Sequence, residues 1–193
     1  QIMNPDRLNI FFDRFPQLRS TLEKLNAAKI PYAIGGSGCL FLLGNERLPD
    51  DVDIYLRNED HDAVDQLFDI VSFIYESPLE HVRNSNVNGD HSIQLTSHLT
   101  ISAEGKSYDL SLTPDVLEAR LQSAHDSLEV FLYPPEDVLL IKALLQRGAD
   151  VGKHDIEDIE AFRQRYPQLR LDYLQQRIQS LGAQDRVQKI FDV

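Results

Sequence analysis

The chain has one cysteine, one methionine and no tryptophan in 193 residues. Cys39 alone closes no internal disulfide and builds no thiolate cage around a metal, which points to a reducing cytoplasm. No apolar run approaches the ~18–20 residues of a bilayer crossing, so an integral membrane protein is excluded and a cytoplasmic location is expected. The N-terminus lacks a basic stretch followed by an apolar core, so no secretory signal is expected. There is no internal repeat and no low-complexity tract. Positive charge is scarce: 19 Lys and Arg stand against 31 Asp and Glu, a net charge of −12. Each neutralised phosphate needs a Lys or Arg, so extensive nucleic-acid binding is opposed, although one basic patch would suffice for a tRNA end. What remains is ordinary globular composition, 42% hydrophobic and 26% charged. A chain of this length buries about two-thirds of its extended surface and needs no covalent or metal staple.

The periodicity predicts helices around one small sheet. Residues 4–26 read as helix, with Leu18, Leu22 and Leu25 on one stripe and Pro16 as a break. Tyr32-Ala33-Ile34 is a short strand that stops at Gly35-Gly36, and residues 38–43 form an apolar helix ended by Gly44. Along 51–56, Val52, Ile54 and Leu56 alternate with Asp51, Asp53 and Tyr55, the pattern of a half-buried strand. A helix is expected over 60–73, a polar loop over 76–90, and strands near 93–95, 99–103, 107–112 and 127–132. Glu104-Gly105-Lys106 makes a hairpin turn, and Thr113-Pro114-Asp115 starts a helix. Pro134-Pro135-Glu136-Asp137 opens an apolar helix closed by Gly148, followed by helices over 154–165 and 170–191. The expected organisation is an α/β core with its N-terminal helix over 1–133 and a helical region packed on it over 134–193.

Chemistry concentrates in the first half. Asp51 and Asp53 share the polar face of one strand, with Cα atoms roughly 6.6 Å apart. Asp109 repeats the pattern in Ser107-Tyr108-Asp109-Leu110, and if the two strands are neighbours, three carboxylates converge. Two carboxylates about 4 Å apart repel by roughly 4 kcal/mol at an effective dielectric near 20, which divalent cations would relieve. Mg²⁺ favours a few carboxylates together with substrate phosphates. Read alone, the alternation fits a solvated strand face equally well. The preceding Gly35-Gly36-Ser37 sits between a strand and a helix, where backbone N–H groups and a hydroxyl make an anion site.

The run from Gly35-Gly36-Ser37 through Arg47 to Asp51-Val52-Asp53 resembles the signature of the polymerase-beta-type nucleotidyltransferase superfamily. Its spacing is similar to the bacterial branch of AbiEii-like, minimal nucleotidyltransferases, which includes abortive-infection proteins and so brings a toxin–antitoxin role into view. That branch also carries a downstream Lys, an Arg, a Lys-Asp pair and another Asp; here stand Lys142, Arg147, Lys153-His154-Asp155 and Asp158, with His154 splitting the pair. The resemblance covers residues 30–160. It implies an α+β nucleotidyltransferase fold, a small mixed sheet flanked by helices with a helical C-terminal part. It also implies transfer of a nucleoside monophosphate from an NTP such as ATP to an acceptor hydroxyl, with release of pyrophosphate. Asp51, Asp53 and Asp109 would hold two Mg²⁺ ions, or Mn²⁺, with Asp109 nearest the acceptor. Gly35, Gly36, Ser37, Arg47, Lys142 and Lys153 would bind the nucleotide phosphates. The acceptor stays open: a small molecule, a protein or a tRNA. The alternative is a catalytically inactive module of the same fold that binds a nucleotide or a partner.

Other constellations carry less. The pairs His61-Asp62 and His154-Asp155 lack the further converging ligands of a metal phosphohydrolase and read as solvated surface. Cys39 reads as a buried inert thiol. Lys142 and Arg147, five residues apart on a helix, do not share one face. Lys142 follows Val138-Leu139-Leu140-Ile141, so it needs an anionic partner: Asp137 or Glu136 on one reading, the triphosphate on the other.

Overall fold

The computed structural model describes residues 3–192 and has the expected α+β architecture. Two helices lead, α1 (Pro5–Arg14) and α2 (Leu18–Ala27). The Asn4 side chain accepts from the Asp6 amide at 2.9 Å and Pro5 opens α1, so an N-cap and a proline fix its start. Pro16 separates the pair. β1 (Tyr32–Ile34) leads directly into α3 (Gly36–Leu43) and then β2 (Val52–Leu56). α3 is short and buried on nearly every side, and Cys39 within it lies 3.5 Å from the Tyr133 carbonyl. Burial drives its thiol pKa far above the ordinary range.

The middle of the chain holds α4 (His61–Phe68), β3 (Phe73–Glu76), β4 (Glu80–Val87), β5 (Asp90–Ala103) and β6 (Lys106–Asp109). Then come α5 (Pro114–Ala119), β7 (Leu121–His125) and β8 (Leu128–Leu132), and helices α6 (Pro135–Leu145), α7 (Asp155–Arg165), α8 (Leu171–Leu181) and α9 (Gln184–Phe191). The sheet runs β3-β4-β5-β2-β1-β8-β7, with β6 paired to the far half of β5. β2 is parallel to β5 and β1 to β8, and the remaining pairs are antiparallel, so the sheet is mixed.

Several elements differ from the sequence expectation, each for a local reason. The polar stretch 76–90 is most of a hairpin. Asn88 and Gly89 both take positive φ, +50° and +74°, the turn that matches the twist of paired strands. Val82, Asn84 and Val87 are all buried, Asn84 on the same face as Val82, and Asn86 is half-buried. The two strands expected within 93–103 are one 14-residue strand, kinked where His98 has φ +55°. An Asp126-Ser127 turn at φ +48° and +68° adds β7, absent from the expectation. α4 stops at Phe68 because Asp69 is left-handed, and α6 stops at Leu145 because Gln146 is. Gly182, at φ +65°, splits the expected last helix into α8 and α9.

Parity divides the sheet into two faces. Val52, Ile54 and Leu56 are fully buried on one, with Ser85 and Ser97 beneath α4. Asp53, Tyr55, Thr96 and Asn84 look to the other, toward α6. Every residue of α6 is buried, so this helix is an interior member with the cavity along one side.

His61 corrects the surface reading of the first His-Asp pair. It is fully buried, its Nδ1 2.5 Å from Ser97 Oγ and its Nε2 2.8 Å from Ser85 Oγ. Only Asp62 stays in solvent. Burial, with help from Arg83, lowers the His61 pKa to about 4, opposed by Asp65. Below pH 6.5 the unfolded chain takes a proton that the folded chain refuses. The contribution is therefore complete above pH 6.5 and is lost as pH falls toward 4. Urea unfolding of a His61→Gln variant should show a flatter fall in stability over that window, the difference from wild type reaching on the order of 2 kcal/mol. Equal slopes would mean His61 is not held neutral.

Candidate functional site

A cavity of about 400 Å³ opens between the α6 side of the sheet and the loop after α6. Its floor begins at the β1–α3 turn. Gly36 has φ +58°, and a Cβ there would stand 3.0 Å from Asp53 Oδ2. A Cβ on Gly35 would meet the Tyr55 ring at 2.5 Å. Both glycines are therefore needed for α3 to start beside β2, where the Gly35 amide donates to the Asp53 carbonyl at 2.9 Å. Ser37 occupies the first turn of α3, so the positive end of that helix faces the cavity beside Asp53.

Asp51 and Asp53 both line this space. Burial first, then the Asp51 charge and more weakly Glu80, push the Asp53 carboxyl up to about 7, while Lys153 and Arg147 draw it part of the way back. The other lining carboxylates are each paired. Asp50 lies 3.7 Å from Arg14, Glu80 3.7 Å from Arg147, and Asp155 accepts from the Arg147 amide at 2.8 Å and its Nε at 2.9 Å. Among the described residues, Asp51 and Asp53 have no such ion pair.

A buried ion network closes the opposite wall. Lys142, 5% exposed, donates to Ser37 Oγ at 3.0 Å and lies 3.1 Å from Asp158 Oδ2 and 3.5 Å from Asp155 Oδ1. Arg47 also binds Asp158. The anionic partners of Lys142 are thus neither Asp137 nor Glu136, which are taken by Arg177 and Arg170. The left-handed Gln146 turns the chain so that Arg147 meets the same Asp155 as Lys142, which overrides the helical spacing argument that kept them apart. Asp155 is fully buried, whereas His154 lines the cavity in an exposed position, so the second His-Asp pair is half surface and half core.

Gly36, Ser37, Arg47, Asp51, Asp53, Lys142 and Lys153 all line the one cavity, with Gly35 immediately behind it. Asp109 does not. β6 pairs with the far half of β5, Asp109 opposite Thr100, whereas Asp53 lies opposite Gln94 on the near half. Six residues of strand, roughly 20 Å, separate those positions. Asp109 is exposed and accepts from the Ser111 amide at 2.9 Å. β2 and β6 share β5 as a neighbour without adjoining each other, so the expected convergence of three carboxylates does not occur. Among the described residues no three His, Cys, Asp or Glu side chains stand ready to hold a metal ion, which leaves Asp51 and Asp53 as the pair available to a cation. Glu80, Asn84, Gln94, Phe73 and Tyr75 also line the site; the sequence reads Glu80 and Asn84 as loop, places Phe73 at the end of a helix, and gives Gln94 no role within its strand. The aromatic alternation of Phe73-Ile74-Tyr75 followed by Asn88-Gly89 was the signal.

No family model matches the sequence and no curated protein does. Solved structures share the fold. TM1012 of Thermotoga maritima, provisionally named a nucleotidyltransferase, superposes with a TM-score of 0.57 at 14% identity, covering 78% of this chain and 91% of that one. ANT(2″)-Ia in complex with adenylyl-2″-tobramycin gives 0.52 at 12% identity, covering 86% and 94%. Its solution structure gives 0.51 at 14% identity, covering 86% and 89%. The chain has the nucleotidyltransferase fold.

Two measurements separate the charges of this site. Without divalent cations, the raised Asp53 pKa lets the folded state keep a proton that the unfolded state releases near pH 4. Stability is therefore lost as pH rises from about 4 to about 7. Asp53→Asn should be more stable than wild type by on the order of 2 kcal/mol at pH 8, the gain vanishing by pH 4. A pH-independent difference would place the carboxyl in ordinary solvent. Lys142→Met should cost about 3 kcal/mol in urea unfolding because it strips a shared cation from buried Asp155 and Asp158. Lys153→Met, at an exposed position, should stay within about 0.5 kcal/mol. Equal effects would contradict the division between the buried, ion-paired Lys142 and the exposed Lys153.

Proposed function

We propose that the chain is a nucleotidyltransferase that moves a nucleoside monophosphate from an NTP to an acceptor hydroxyl with release of pyrophosphate. One observation carries the reading. Asp51 and Asp53 stand unpaired in a cavity whose other lining carboxylates are paired, directly beside the α3 N-terminus, where the Ser37 hydroxyl accepts from the Lys142 ammonium of α6. Two carboxylates next to an anion site suit a divalent cation that is itself bound to phosphate. Their chemistry fits Mg²⁺, or Mn²⁺, with the missing ligands supplied by triphosphate oxygens and water. The cation would neutralise charge that develops at the transferred phosphorus.

The protein groups then have separate tasks. The α3 amides and Ser37 hydroxyl hold the leaving β- and γ-phosphates, where fixed donors need no rearrangement as charge builds up. Lys142 reinforces that end as a point charge, held in place by Asp155 and Asp158. Arg47 stands close by through Asp158, and Lys153, cavity-lining and exposed, is the cation free to follow the nucleotide. Asp109 has no part in this reading.

Gln94, the uncharged neighbour of Asp53 on β5, favours a second reading: a module that binds a nucleotide without transferring it. Calorimetry with each NTP, with and without Mg²⁺, joined to an assay of pyrophosphate release, separates the two. Transfer requires cation-dependent NTP binding, and Asp51→Asn and Asp53→Asn should each lower the rate by at least about 10³-fold. Cation-dependent binding with no pyrophosphate released by any acceptor selects the binding module. A chain that binds no NTP under either condition has neither function.

A further inference from the structure

Five of the eight large hydrophobic residues exposed among the described residues fall between Leu67 and Tyr75. Two of them do not simply face bulk water. Phe73 and Tyr75, 44% and 47% exposed, lie on alternate positions of edge strand β3 and both line the cavity, while Ile74 between them does not. Register puts them on the same sheet face as the carboxylates. Tyr55 pairs with Thr96, Thr96 with Asn84, and Asn84 with Phe73, so β3 is three strand spacings, about 14 Å, from β2.

The direction of the reaction assigns that wall, on the premise that the chain is a nucleotidyltransferase. The acceptor oxygen bonds to the α-phosphorus as the bond from that phosphorus to the bridging oxygen breaks. The electron pair leaves with pyrophosphate and the hydroxyl proton passes to water in the open cavity. In an in-line displacement the nucleophile arrives opposite the leaving group. The leaving group lies at the α3 N-terminus, which follows β1 on one flank of β2. β5, β4 and β3 lie on the other flank. The acceptor therefore extends over β5 and β4 toward Phe73 and Tyr75.

The chemistry of this flank narrows what it accepts. β3, β4 and β5 present to the cavity two aromatic rings, Val82 and Leu99, uncharged polar groups and one carboxylate, Glu80, but no Lys or Arg. Arg83 of β4 points to the other face, where it binds Asp62 and Asp65. A polyanion would find beside its path only Arg147, already paired with Asp155 and Glu80, whereas flat rings stack on exposed aromatics. A ligand cation is attracted by the ring faces, Glu80 being already paired with Arg147.

We propose that Phe73 and Tyr75 form the acceptor subsite, and that the acceptor is a neutral or cationic small molecule whose hydroxyl lies over β5, with an aromatic or similarly flat apolar group two strand spacings away on β3, about 10 Å from that hydroxyl. The probes are primary-amine phenylalkanols whose spacers set ring-to-hydroxyl distances near 5, 10 and 15 Å, with a single-stranded RNA trinucleotide as the polyanionic comparison. Binding is followed by ligand-observed NMR with Mg²⁺ and each α,β-methylene NTP, after calorimetry has recorded whether the analogue binds wild-type protein. The middle spacer should bind at least ten-fold more tightly than the others, the trinucleotide should bind more weakly, and Phe73→Ser/Tyr75→Ser should lose at least ten-fold while Tyr75→Phe retains binding. The spacer dependence in wild type decides the matter even if the double variant does not fold. No analogue binding overturns the nucleotidyltransferase premise itself. Analogue binding with no spacer preference, with preference for the trinucleotide, or with undiminished affinity in a folded double variant overturns the acceptor subsite alone.

Discussion

The ammonium of Lys142 is the charge around which the rest of this structure is arranged. It sits in the interior on a helix with no exposed residue, where an uncompensated cation would cost several kcal/mol. Two carboxylates of α7 answer it, and each is shared with an arginine: Asp155 with Arg147 and Asp158 with Arg47. Through those partners α6 is tied to α7, to the loop before β2 and, by way of Glu80, to β4. The same ammonium holds the Ser37 hydroxyl at the start of α3. A network that is costly to bury thereby fixes the relative positions of the β1–α3 turn, the carboxylate strand and the far wall of the cavity.

The contrast between this wall and Asp51 with Asp53 is electrostatic. On one side every buried charge has an opposite partner within the protein. On the other, two acids crowd together and the deeper one resists ionisation near neutrality. Charge left unbalanced in a cavity is a standing demand for a ligand of the opposite sign. The cavity answers its own demand only partly, through Lys153 and Arg147 acting from a distance.

The parts of this site that could be read from the chain were those where local pattern and local chemistry coincide. Gly35-Gly36-Ser37 announced a turn into a helix, as the structure has it; Asp51-Val52-Asp53 announced one strand face, and Asp53 lies on β2 while Asp51 stands just before it, both lining the cavity. Asp109 failed because a strand face says which way a side chain leaves the sheet, not which strand lies beside it. That neighbour is decided by the long reach of β5, 14 residues with a kink at His98, whose two halves serve different partners. Asn84 and Asn86 suggested a loop, since amide side chains usually mark turns, yet here they fill the polar positions of a strand. His61 failed for the opposite reason. Its burial depends on Ser85 and Ser97, two hydroxyls brought from separate strands, and nothing near His61 in the chain foreshadows them.

Cys39 turns the fold into its own clock. Its thiol lies at the centre of α3, fully enclosed and with a strongly raised pKa, so it is inert to alkylating reagents while the native packing holds. It is also the one thiol in the chain, and it sits two residues beyond Ser37. An opening that exposes it breaks the packing around α3, including its contact with the Tyr133 carbonyl. The rate at which the thiol is labelled therefore measures how often the packing around α3 opens, without a reporter added to the protein.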